Sequence, residues 1–326
     1  MDTISANLKA LGLGEGASQS VEQTANPQLV DTPEAVKALV DTLFSLEADC
    51  ASIYVDLEGV SLSRHGSISL IQIWIPLHQQ AFFVDVYMLG TRTFDTLNSD
   101  GKTMRSILES ERIKKCFFDV RNAQMRYTPS FNVRLAGVAD IQLLELASRR
   151  GPKHVLCGLA TCVDQEQTLS TPLLHKWQST KTEVAKMFDP KRGGSYKVFN
   201  IRPLPQILID YCDGDVRVLP MLSAIYEKRL SNGWSEKVRI ETEKRLADSR
   251  RPEYKPQGKH KIFGLRSWRF PPKNKPGSTA VAIAPATYNP RPDQVCRSRL
   301  KQRYGSCACV PSLPLTEDRP RVTDCG

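Results

Sequence analysis

The sequence predicts an α/β fold, a mixed central sheet flanked by helices. Two observations predict it. Short β-branched and aromatic runs recur at Ile53-Tyr54-Val55, Ile68–Ile75, Ala81–Val86 and Ile113–Phe118, a composition suited to a pleated, half-buried surface. Between and around them lie segments whose apolar residues fall at helical spacing, and such alternation argues for one sheet covered on its faces. With 326 residues, 40% of them hydrophobic and 25% charged, the chain can bury one sizeable core in the manner of a soluble globular protein.

Residues 1–28 are polar, without sustained periodicity, and are expected to be loose. Thr32-Pro33-Glu34 reads as a helix start, with Thr as N-cap, Pro at the first helical position and an acid in the first turn. Val36, Leu39, Val40, Leu43 and Leu46 follow at helical spacing. The strand at Ile53 comes next, then Ile68–Ile75 after the turn-like Ser63–Ser67, then a third strand, Ala81–Val86, antiparallel through the loop at Leu77–Gln80. Met104–Ser110 reads as a helix, Ile113–Phe118 as a buried strand, Val120–Tyr127 as helical, Gly137–Asp140 as extended and Ile141–Arg149 as a helix. The polar stretch 164–202 predicts one helix around Lys181–Met187 plus loops. Pro203–Leu222 turns helical, with Pro205 near its start. Beyond Ile225 a charged helix runs to about Arg251, and its alternating signs from Lys237 to Arg245 suggest a solvated face. After Pro252, Pro and Gly recur with few apolar clusters, the signature of a largely disordered tail. The expected domain is thus 29–251, between a loose segment at 1–28 and a tail at 252–326.

The net charge of +10 is unevenly placed. Arg250–Gly305 holds 14 Lys/Arg against 2 Asp/Glu, and 306–326 holds 2 against 3, which leaves about −1 for residues 1–249. The basic character belongs to the tail, read as a flexible arm or as a nucleic-acid contact. No run of eighteen apolar residues exists, so no membrane span is expected. The N-terminus lacks a basic region followed by an apolar core, so no secretory signal is read there. Nine cysteines are an odd number, and settings such as Lys115-Cys116-Phe117-Phe118 suit buried free thiols. The expected compartment is cytoplasm or nucleus. Four tail cysteines (296, 307, 309, 325) are spaced by 11, 2 and 16 residues, which matches no common zinc pattern. No phosphate-cradling glycine loop or dinucleotide fingerprint is present.

The chemistry gathers around acids. Asp56 and Glu58 follow the first strand at i and i+2, so both carboxylates project to one face. Like charges so placed repel unless a cation lies between them, and oxygen-bound divalent ions are the usual answer. The alternative is a strand end with two solvated acids. Tyr211 and Asp215 stand at i and i+4 of a helix and share a face; taken alone they are a surface pair. Asp119 closes the buried strand at Phe118. Together these residues make a constellation.

At these residues the chain resembles the ribonuclease D-like 3′–5′ exonucleases, whose active site is four acids plus a tyrosine, and among them the fungal 3′–5′ exonuclease domain proteins. The resemblance is carried by YVDLEG (54–59), LIQIW (70–74), FFDVRN (117–122), GVADIQLLE (137–145), KRGGSYKVFNIRPLP (191–205) and YCDGDVRVLP (211–220), and covers roughly Leu29–Ala247. It implies a ribonuclease H-like fold and two-metal hydrolysis at the 3′ end of single-stranded RNA or DNA. Asp56, Glu58 and Asp215 would hold one Mg²⁺ or Mn²⁺, and Asp56 would also touch a second ion, the two about 3.5–4 Å apart. Tyr211 would position the attacking water. From charge alone, Lys or Arg of 176–202 would hold the strand's backbone. The chain departs from the pattern at the second motif. There an acid usually follows the Arg-Asn pair, whereas Arg121-Asn122 is followed by Ala123-Gln124-Met125. Upstream, an acid at the place of Asp119 often accompanies that acid in relatives, and in relatives the residue at Asp140 looks like a helix start. A domain lacking the acid would hold its second metal less firmly, or would serve as a degenerate nucleic-acid-binding or scaffold module.

Overall fold

A computed structural model of the chain describes residues 25–49, 52–62, 66–123, 131–256 and 258–268. Its elements run β1 (Gln28–Val30), α1 (Pro33–Asp49), β2 (Ser52–Val60), β3 (Ser67–Ile75), β4 (Gln80–Val84), α2 (Val86–Leu89), α3 (Arg92–Asp95), α4 (Met104–Glu109), β5 (Lys114–Phe117) and β6 (Val138–Asp140). Then come α5 (Ile141–Ser148), α6 (Leu159–Glu166), α7 (Thr171–Phe188), α8 (Gln206–Arg217), α9 (Leu219–Arg229) and α10 (Asn232–Ser249). The strands form one six-stranded sheet in the order β1-β4-β3-β2-β5-β6. β2, β3 and β4 run antiparallel as a meander, while β1 joins β4, β5 joins β2 and β6 joins β5 in parallel. This is a ribonuclease H-like mixed sheet with helices on both faces.

The period of two in β2 divides the molecule. Ile53, Val55 and Leu57 face an apolar layer built with Val36, Leu39 and Leu43 of α1 and Ile107 and Leu108 of α4. Tyr54, Asp56 and Glu58 therefore face the other layer, where Leu70 and Trp74 of β3 meet α5, α7, α8 and α9 through Leu143, Val184, Leu208 and Leu222. A half-buried strand with acids on one face needs helices there that can answer them, and α7 and α8 supply the answer.

The helical regions are longer and more divided than the sequence suggests. The one helix expected around Lys181–Met187 is α7, eighteen residues from Thr171, preceded by α6. The segment expected to be helical over Pro203–Leu222 splits: Pro205 precedes α8, α8 ends at Arg217, and α9 starts at Leu219 with Pro220 in its first turn. Pro220 lacks the N–H that would continue α8 and suits a fresh helix start. At Val120 there is a single 3-10 turn, Val120–Asn122, and the rest of the expected helix, with Gln124 and Met125, lies outside the described residues.

Helix α10 is more than a solvated face. Arg239 pairs outward with Glu236 at 2.7 Å and with Glu243, but Arg245 is buried and its Nη1 lies 2.7 Å from Asp140 Oδ2. The packed chain also continues past the boundary expected at Arg251. Val155 and Phe263 form a bridge, Leu156 N donates to Ile262 O and Gly264 N to His154 O, both at 2.8 Å. Trp268 is buried edge-on against Trp234, ring centres 5.1 Å apart. Cys116, Cys162 and Cys212 are buried free thiols and Cys157 a half-buried one. The tail cysteines and Phe270 lie outside the described residues. Among the described residues no helix is long and apolar enough to cross a membrane.

Candidate active site

Asp56 and Glu58 stand on the central strand, and a bulge follows them at once: the β2–β3 register shifts between Glu58 and Gly59. A Cβ at Gly59 would come 2.1 Å from Ser67 O, so only glycine lets β3 approach there. Bulges of this kind end regular pairing and re-aim the side chains beside them. Facing the acids, α8 lies against β2, β3 and α7 and presents Tyr211 and Asp215, both buried. Gly214, an unfavourable residue for a helix interior, has a tertiary reason. A Cβ there would lie 2.7 Å from Trp177 Cδ1, so the glycine makes room for the indole that joins α7 to α8.

Lys181, one turn after Trp177 on α7, completes the site. Its Nζ lies 2.5 Å from Asp215 Oδ2, 4.7 Å from the Trp177 ring centre and 4.9 Å from that of Tyr211. Burial and the charge of Asp215 push the Asp56 carboxyl up to about 7, against Leu57 N–H and Lys181. Burial, then Asp56 and Asp215, pushes Glu58 well above the ordinary range, opposed by Lys181 and a hydrogen bond with Tyr211. Asp215 is raised by burial and held back by Lys181. Three carboxylates thus share one low-dielectric space with a single ammonium, and Asp215 Oδ1 is buried without a hydrogen-bond partner. Carboxylate oxygens in this number suit a hard divalent cation. Among the described residues, however, no three His, Cys, Asp or Glu side chains are already gathered at metal-binding spacing.

Asp119 has partners of its own. It sits at φ 65° after β5, and its carboxylate accepts from Arg121 Nε at 2.6 Å and Nη2 at 2.8 Å. Arg245 Nη1 and Lys261 Nζ stand 3.8 Å away. Burial alone would raise this carboxyl, but Arg121, Lys261 and Arg245 hold it below its usual range. Asp119 is thus held by three cations, whereas the charges acting most on Asp56 and Glu58 are those of Asp215, Lys181 and, for Glu58, Asp56. Ala123 is buried in the apolar cluster that holds Val36 and Leu39 of α1 and Ile53, Val55 and Leu57 of β2. Asp140 caps α5 through Gln142 N and also accepts from Asp119 N at 3.1 Å, the helix-start role read from sequence.

The stretch 191–205 is tied to the sheet beside the acids. Ser69 Oγ donates to Asn200 Oδ1 at 2.5 Å, and Arg202 pairs with the buried Asp85 and donates to Phe199 O at 2.8 Å. Ser195 N donates to Met187 O at 2.8 Å. Tyr196 is thereby stacked on Phe188 at 5.7 Å, and Phe188 lies 6.1 Å from Tyr211. Burial, then the charges of Asp189 and Glu58, raise the Tyr196 phenol. Two half-buried aromatics thus border the carboxylates, with Lys191, Arg192 and Lys197 exposed nearby in the chain. Sequence reasoning missed Lys181 as a member of the site, although Trp177 and Lys181 at i and i+4 carried the signal.

No protein-family model and no curated protein matches the chain. Solved structures do. Ribonuclease D of Trypanosoma brucei in complex with RNA U12 superposes with a TM-score of 0.58 at 23% identity, covering 77% of this chain and 81% of that one. The same enzyme's GMP complex gives 0.56 at 23% identity over 74% and 70%. A further structure of it gives 0.56 at 24% identity over 75% and 80%. The shared property is the fold.

Proposed function

We propose that the chain is a ribonuclease D-like, 3′–5′ exonuclease-like protein that engages the 3′ end of single-stranded RNA or DNA, in the cytoplasm or nucleus. The motifs at 54–59, 191–205 and 211–220 are what support reading it beside the fungal 3′–5′ exonuclease domain proteins. One observation carries this reading: the half-buried Asp56 and Glu58 of β2 and the buried Asp215 of α8 act on one another's charge, with Tyr211 beside them. The RNA complex of a protein with the same fold agrees with the substrate class.

Asp56, Glu58 and Asp215 would hold Mg²⁺ or Mn²⁺, the partnerless Asp215 Oδ1 among the ligating oxygens. A divalent ion there supplies charge stabilisation to phosphodiester oxygens and acidifies water. The protein's own part is positioning. Burial and the neighbouring carboxylates keep Tyr211 a protonated phenol, and its hydroxyl would orient water at the terminal phosphodiester. The Tyr196–Phe188 stack offers a face to the terminal base, since base–aromatic stacking tolerates any sequence. Lys191, Arg192 and Lys197 would meet the backbone.

The test is a 5′-labelled single-stranded oligonucleotide incubated with Mg²⁺ or Mn²⁺. A ladder shortened from the 3′ end is expected, abolished in Asp56→Ala and only reduced in Tyr211→Phe. A second reading, a degenerate domain that binds nucleic acid without cutting it, is favoured by two findings. Ala123 offers no oxygen ligand, and Asp119 is engaged by three cations. Binding of the oligonucleotide with no ladder in either metal selects it.

A further inference from the structure

The carboxylate site already contains a cation of its own. Lys181 Nζ lies 2.5 Å from Asp215 Oδ2, with the lysine side chain 24% exposed and that of Asp215 only 5%. The ammonium is flanked by the faces of Trp177 and Tyr211 at 4.7 and 4.9 Å, contacts that favour a positive charge. Its effect reaches beyond Asp215, because its charge acts on Asp56 and Glu58 as well. Asp215 keeps its other oxygen, Oδ1, buried without a hydrogen-bond partner, so it remains open to a second cation.

We propose that Lys181 is the resident counter-cation of this site and competes with divalent metal for Asp215. The inference rests on the reading of Asp56, Glu58 and Asp215 as metal ligands and adds a residue that controls their occupancy. Two cations sharing one oxygen repel across a few ångströms in a medium that screens poorly. The ammonium must therefore leave Asp215 Oδ2 before the three carboxylates close on an ion. A lysine suits such a role: it is a point charge on a flexible four-carbon stem, and its partial exposure leaves a route outward. With the ammonium in place, the charge of one of the three carboxylates is offset without metal. When it withdraws, the same charge is free to meet a phosphate of the strand entering the site.

The experiment is a titration of Mn²⁺ alone into the full chain, followed by calorimetry and by the loss of the free-ion paramagnetic resonance signal. Four proteins are compared: wild type, Lys181→Met, Lys181→Arg and Asp215→Asn. Lys181→Met keeps an apolar stem between Trp177 and Tyr211 while removing the charge, and it is expected to bind Mn²⁺ at least about tenfold more tightly than wild type. Lys181→Arg, which keeps the charge, should show no such gain, and Asp215→Asn should lose binding. Thermal unfolding supplies the second measurement. Lys181→Met should melt lower than wild type without metal and recover more on adding Mn²⁺; Lys181→Ala serves in the same way if Lys181→Met does not fold. Equal Mn²⁺ affinity in wild type and Lys181→Met, with loss in Asp215→Asn, overturns the competition while leaving the ligand assignment intact. Absence of Mn²⁺ binding in all four overturns both.

Discussion

Lys115 shows how much a single buried residue can carry. It lies on β5, fully buried, and its Nζ donates to Ser110 O and, at 3.2 Å, to Ile107 O at the end of α4. Burial pulls its ammonium down to about 7, with Glu111 pulling the other way. A lysine whose folded value is depressed contributes stability above its unfolded value, near about 10, and loses it as pH falls through about 7. The difference in stability between wild type and Lys115→Met is therefore expected to grow in favour of wild type from pH 7 to 10. Its slope should be at most about 1.4 kcal/mol per pH unit, measured by urea unfolding across that range. Ala123 makes the opposite point. The missing second-motif acid invites Ala123→Asp as a repair, but the residue is buried among apolar side chains. The substitution is expected to cost about 3 kcal/mol or more and to leave Mn²⁺ affinity unchanged. Tighter Mn²⁺ binding in a folded Ala123→Asp protein would place that position in the metal site.

At the scale of elements, the site depends on how α7, α8 and α10 dock. Gly214 lets Trp177 lie against α8, and Gly214→Ala would press a methyl to 2.7 Å from the indole. The expected cost is about 1–3 kcal/mol, read as a drop in the unfolding midpoint, and Trp177 fluorescence should shift with it. A silent variant would mean that the helices part freely and that the indole is no joint. Helix α10 is pinned by Arg245 on Asp140, whose carboxylate also receives Asp119 N, Val120 N and Gln142 N. Removing one partner of a buried pair leaves an uncompensated charge, so Arg245→Met should destabilise by about 3–5 kcal/mol. Asp140→Asn in the same chain should recover part of the loss.

For the whole molecule, the question is where the domain ends and what binds nucleic acid. Lys261 O accepts from Arg121 at 3.1 Å, and Trp268 is packed on Trp234. A chain ending at Trp268 is expected to melt with the full chain, whereas one ending at Arg251 should melt lower by several degrees. Residues 269–305 hold 8 Lys/Arg and one Asp. If they bear the affinity for single strands, that affinity falls with salt at a log–log slope of about −0.7 per phosphate neutralised. The Trp268-terminated chain should then bind more weakly and with a shallower slope. Equal slopes in a salt titration would assign binding to the domain itself.

Read without coordinates, the chain gives five of the six strands, missing β1 at Gln28–Val30, and it gives the pairing of Asp56 with Glu58 and of Tyr211 with Asp215. Each is a local regularity: a period of two, a period of 3.6, or an acid next to a strand end. The resemblance to ribonuclease D-like exonucleases adds the absence of an acid after Arg121-Asn122 and the helix-start reading of Asp140. Only the tertiary structure decided which charges meet. Asp119, an acid after a strand like Asp56, is drawn to Arg121, Arg245 and Lys261, and these come from positions up to 142 residues away. Lys181 reads as one polar residue among many until α7 is laid across α8. Trp268 reads as tail until it meets Trp234. Long-range electrostatics and packing depend on which helix faces which sheet surface. That choice is made by the sum of the apolar contacts and is written at no single position.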